Sequence, residues 1–133
     1  MQSKLLLRTF IFICFTALLS GCNLGPGEGG TASIIGKVKV LEYNGSGILV
    51  NEYYAADERV YIIYGDETFQ SDEVRTSYEG SYRFEFLRKG DYTIYVYSDC
   101  PPCDGETQAI LESVSITKNG EVISVPEITI EKH

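Results

Sequence analysis

From Ser33 to the end of the chain, short runs rich in Val, Ile, Tyr, Phe and Thr alternate with turn residues, and no segment carries an apolar stripe of period 3.6. A pattern of period two cannot bury one face of a helix, so this chain is expected to fold as strands. The runs predict strands at 33–43, 58–65, 72–77, 80–87, 91–98, 109–117 and 121–130. Successive side chains of a strand point to opposite faces. The inward set is therefore Ile34, Val38 and Val40 beside Gly36; Val60, Ile62 and Tyr64; Tyr82, Phe84 and Phe86; Tyr92, Ile94 and Val96; and Val114, Ile116, Ile128 and Ile130.

The turns fit the same reading. Glu79-Gly80, the segment 88–91 and Lys118-Asn119-Gly120 each join consecutive strands tightly, and Asn-Gly readily takes the positive φ of a type I′ hairpin. Seven short strands joined in this way predict an all-β, seven-stranded, two-sheet β-sandwich. Pro126 has no N–H to give to a ladder, so the last strand is expected at an edge or with a bulge.

Three segments carry a family resemblance: an apolar-apolar-Gly-basic-Val strand at Ile34 to Val38, an acidic-Gly-small-Tyr-x-Phe hairpin at Glu79 to Phe84, and a Leu-x-x-Gly-x-Tyr entry at Leu87 to Tyr92. Over residues 33–98 the chain resembles the carboxypeptidase regulatory-like domains, a transthyretin-like (prealbumin-like) seven-stranded sandwich related in shape to Cna B-type modules. The resemblance implies a fold and no catalysis, since the peptidase activity of carboxypeptidases belongs to a separate zinc domain that is absent here. Cna B-type relatives often carry a Lys–Asn cross-link between first and last strands. Lys37 or Lys39 could supply the amine, but `EVISVPEITIEKH` at 121–133 holds no Asn or Asp.

The start of the chain reads as a processing signal. Lys4 and Arg8 precede an apolar run from Thr9 to Leu19, too short for a membrane span, and `LSGC` closes it at Cys22. Leu, two small residues and Cys resemble the bacterial lipobox, which implies a signal peptide at 1–21 and diacylation of Cys22. Two acyl chains suffice for stable membrane attachment. The Gly-rich stretch that follows is expected to be a flexible tether over 22–32, leaving a domain at 33–133. Asn23 stands where an Asp would resemble an inner-membrane retention mark, so the expected address is a bacterial cell envelope, at the outer membrane.

Removal of Lys4 and Arg8 with the signal takes the formal charge from −8 to −10. So acidic a domain is repelled by phosphate backbones, which argues against nucleic acid as a partner. His133, the last residue, is the only histidine and is expected to be mobile, so no Ser-His-Asp or Cys-His site can be built on it. The acidic pairs Asp57/Glu58, Asp66/Glu67 and Asp72/Glu73 read as solvated surface. No catalytic residue, metal ligand or cofactor is assigned.

Two features remain. Ten Tyr and no Trp occur in the chain, and Tyr61, Tyr95 and Tyr97 fall on the outward parity of their strands, with Tyr53 and Tyr54 in a loop. Outward rings could meet a partner, and one flat, accessible stripe would suit a sugar. Cys100 and Cys103 are the only thiols expected after processing, in an oxidising compartment, with no helix after them and no further soft ligands. They read as a disulfide across an open or cis-Pro turn at Pro101-Pro102.

The expected function is a non-catalytic, lipid-anchored module that meets an envelope protein or a glycan. The alternatives are a carbohydrate-binding accessory of a surface uptake system and a thiol-disulfide protein using Cys100 and Cys103.

Overall fold

Residues 24–133 are described by the computed structural model; the expected signal peptide with Cys14, the expected lipidation site Cys22, and Asn23 lie outside them. The alternating runs become nine strands: β1 (Glu28–Tyr43), β2 (Leu49–Tyr54), β3 (Arg59–Tyr64), β4 (Asp72–Arg75), β5 (Ser81–Leu87), β6 (Gly90–Asp99), β7 (Thr107–Ile116), β8 (Val122–Ser124) and β9 (Ile128–Lys132). One sheet is antiparallel in the order β4-β3-β6-β7. The other is built around β1, with β5 and β2 antiparallel along one side and β8 and β9 parallel along the opposite side. The inward side chains of both sheets form one core in which Ile34, Val38, Val60, Ile62, Ile94, Val96 and Ile130 are fully buried. Each such side chain contributes about 1.5–3 kcal/mol by leaving water.

Nine strands replace the expected seven for two physical reasons. β2 lacks a buried face: all six residues of `LVNEYY` are exposed, so Tyr53 and Tyr54 belong to a strand that no core pattern marks. Pro126 then divides the last run. Ser124 pairs with Ile35 but Ile128 pairs with Val38, so one extra residue bulges at the break, on a strand with β1 as its only neighbour.

The connections also differ from expectation. Turns 79–80, 88–91 and 118–120 cross from one sheet to the other, and the hairpins within a sheet are those closed by 44–48, 65–71 and 100–106. Gly80 N bonds Ser77 O at 3.0 Å and so turns the chain tightly. A tight turn fixes a reversal of direction and leaves open which sheet the next strand joins.

Phe86 is a further correction. Its φ of 58° shifts the parity of β5, which turns its ring outward at 68% exposure and sends Leu87 into the core at 2%.

The supposed tether is part of the domain. β1 begins at Glu28, five residues before Ser33, and Ala32 is fully buried. Arg88 N donates to Gly27 O at 2.8 Å, and Arg88 Nε donates to Gly25 O at 2.8 Å. Tyr92 Oη donates to Arg88 O at 2.6 Å and accepts from Gly27 N at 2.9 Å. Glycine serves close approach here: a Cβ on Gly30 would stand 2.1 Å from Leu87 O.

Candidate functional site

Tyr61, Tyr95 and Tyr97 do come together, on the outer face of the four-stranded sheet. The register opposes Tyr61 to Tyr95, and their rings stack at 4.9 Å and 16°. Tyr97 stands edge-on to both, at 73° and 85°. Tyr95 is thereby covered to 7% exposure, and its hydroxyl meets Gln70 Oε1 at 3.3 Å. Burial, with Tyr97 beside it, pushes that hydroxyl's pKa up. The three rings pack on one another rather than forming one flat stripe, and Tyr97 is the most open of them at 47%.

Cys100 and Cys103 form a disulfide in the β6–β7 hairpin loop, with Cα atoms 5.4 Å apart. The turn is closed by Cys103 N on Cys100 O at 2.8 Å, and no cis peptide bond occurs among the described residues, so neither expected turn form is adopted. Glu106 leads directly into β7, and no helix N-terminus adjoins the pair to stabilise a thiolate. Replacing both cysteines with serine should cost at most about 2 kcal/mol, because the bridge closes only a four-residue loop. Chemical denaturation measures this, and a loss above about 4 kcal/mol would show that the bridge holds more than its own turn.

His133 is held rather than mobile. It stacks on Tyr43 at 5.0 Å, its Nε2 lies 3.1 Å from Glu131, and its backbone N donates to Asp99 at 3.0 Å. With the 44–48 loop and Pro101-Pro102 it lines a hollow of about 650 Å³ at that end of the sandwich. The acidic pairs separate: Asp57 meets Arg75 at 3.1 Å and Glu58 meets Lys132 at 3.2 Å. Among the described residues no three His, Cys, Asp or Glu side chains are grouped as metal ligands. Lys39 pairs with Glu52, and Lys37 lies 4.6 Å over the Tyr54 ring, so both amines are engaged by side chains of β2.

A second concavity is one that no single segment announces. An open groove of about 850 Å³ runs from β4, an edge strand of the four-stranded sheet, past β5, an edge strand of the other, to the β8–β9 break. Ile35, Val74, Tyr82 and Val125 give it apolar walls, and Thr76, Ser77, Ser81 and Ser124 add hydroxyls. Lys37, Arg75, Arg83 and Glu127 supply its charges. The cations are held in place: Arg83 bridges Glu85 at 2.6 Å and donates to Ser33 at 3.2 Å, while Arg75 is fixed by Asp57. The groove gathers residues from β1, β4, β5 and the β8–β9 break, which are far apart in sequence.

Comparison with family models found no match, and comparison with curated proteins found none either. Among solved structures, the chain is similar to a proposed carbohydrate-binding protein from Pseudomonas aeruginosa, at 14% identity and a TM-score of 0.47, over 80% of this chain and 91% of that one. So distant a similarity assigns no ligand.

Proposed function

We propose that the chain is a non-catalytic, lipid-anchored module of a bacterial cell envelope that binds an extended segment of another envelope protein along the β4–β5 edge. The observation that carries this reading is the groove itself: two unpaired strand edges flank an apolar hollow with a polar rim. An unpaired edge offers main-chain donors and acceptors to an added strand, and flanking pockets select alternate side chains. The anchor is supported by `LSGC` and the basic, apolar stretch before it.

The test presents a library of extended peptides and a glycan array to the chain from Asn23. Peptide binding weakened at least tenfold by S124W, which fills the groove, and unchanged by Y97A supports the proposal. Glycan binding lost in Y97A and unchanged in S124W moves the site to the tyrosine face and overturns it. Separately, palmitate labelling of the cellular protein is expected to disappear in C22S.

A further inference from the structure

The short distance between the lipid site and the folded body has a consequence for how the domain sits. Gly25 and Gly27 are fastened to Arg88 and Tyr92, and Pro26 packs against Gly65 and Gly90. Only Asn23 and Leu24 stand between Cys22 and the first held residue. Three residue steps span at most about 11 Å. The anchor therefore cannot act as a long swinging leash.

That end of the sandwich also carries exposed apolar side chains. Leu24 is 64% exposed, Phe69 in the β3–β4 loop 81%, and Phe86 68%. Leu87, beside Phe86, pairs with Glu28 and Ala32, and the β3–β4 loop starts at Gly65 against Pro26, which places all three at the end where the chain leaves. Phe86 is held outward by a positive φ that a bulky residue adopts only at a cost. Arg88, Lys89 and Lys118 at the same end stand against Glu28, Asp66, Glu67, Asp91 and Glu121, a small net negative charge that a neutral zwitterionic surface tolerates.

We infer that this end, bearing Leu24, Phe69 and Phe86, rests on the phospholipid bilayer, with both phenylalanines in the interfacial layer. The inference rests on the lipid-anchor reading. It directs the 44–48 loop, the disulfide loop and His133 away from the membrane. Aromatic side chains favour the interface because a ring can leave water there without crossing the bilayer.

The absence of Trp from the chain makes the test direct. F69W, F86W and Y97W are made separately in the chain from Cys22, whose thiol is coupled to a maleimide phospholipid in phosphatidylcholine vesicles, Cys100 and Cys103 being bridged. Tyr97 lies seven residues along β6 from Gly90, about 23 Å from the membrane end. Brominated phosphatidylcholine should quench F69W and F86W emission at least twofold and leave Y97W unchanged. Equal quenching of all three, or none of F69W and F86W, overturns the orientation. An unmodified Cys22 in the mass of chain extracted from cell membranes overturns the lipid anchor and this inference together, whereas the vesicle result bears on the face alone.

Discussion

A chain begun at Ser33 will melt roughly 10–20 °C below one begun at Asn23, as measured by the loss of strand circular dichroism on heating. The apolar pattern starts at Ser33, and a domain cut there would look complete by sequence. The cut removes Ala32, which is fully buried, together with every partner that Arg88 and Tyr92 have in the N-terminal segment. Tyr92 is 2% exposed, so the lost bond from Gly27 is not replaced by free access to water. Each lost hydrogen bond is worth about 1 kcal/mol, and the Leu87 side chain loses its cover, for a total of at least about 3 kcal/mol. That is a large part of a typical domain's stability. Melting temperatures within about 1 °C of each other would show that residues 24–32 only lie on the surface. Binding measurements on a chain cut at Ser33 would mix loss of fold with loss of site.

Alternating side chains and glycine differ in what they reveal about packing. Alternation reports a buried face, so the inward residues of β1, β3, β6, β7 and β9 could be read directly, and the all-β, two-sheet architecture followed. Glycine reports only freedom from a side chain. In `GPGEGG` that freedom permits close packing on Leu87 and Arg88, yet the same letters describe a flexible linker equally well. β2 was invisible for the opposite reason: its side chains enter no core, and only its ladder with β1 makes it a strand. The outward parity of the tyrosines is legible along each strand, but ring orientation depends on three-dimensional packing, which buries Tyr95 and leaves no flat platform. The groove is an inter-sheet feature, and the turns that create it were themselves mistaken for hairpins.

The second large effect concerns Gly36, where Gly36→Ala is expected to cost about 3 kcal/mol. Gly36 pairs with Tyr82 across β1 and β5, and the ring lies flat over the glycine: an added Cβ would meet Tyr82 Oη at 2.4 Å and Cζ at 2.5 Å. The ring has little room to yield, being 4% exposed and edge-on to Phe84 at 6.1 Å. Forcing a methyl into a packed core typically costs 1–3 kcal/mol, and a neighbour that cannot move puts this site at the upper end. The cost should fall by more than half in a Tyr82→Leu background, the coupling expected of residues in direct contact. Tyr82→Phe separates packing from polarity. The Tyr82 hydroxyl is buried without a hydrogen-bond partner among the described residues, so its removal should be neutral or stabilise by up to about 1 kcal/mol. Burial raises the pKa of this phenol well above its ordinary value. The folded state therefore resists ionisation that the unfolded chain undergoes near pH 10, and stability that is intact below about pH 10 is lost as the pH rises further. Tyr82→Phe should flatten that alkaline loss in urea titrations at pH 9 to 12. A Tyr82→Phe variant destabilised by more than about 1 kcal/mol at pH 7 would mean that the hydroxyl has a partner in solution, and the groove it lines would be the place to look for it.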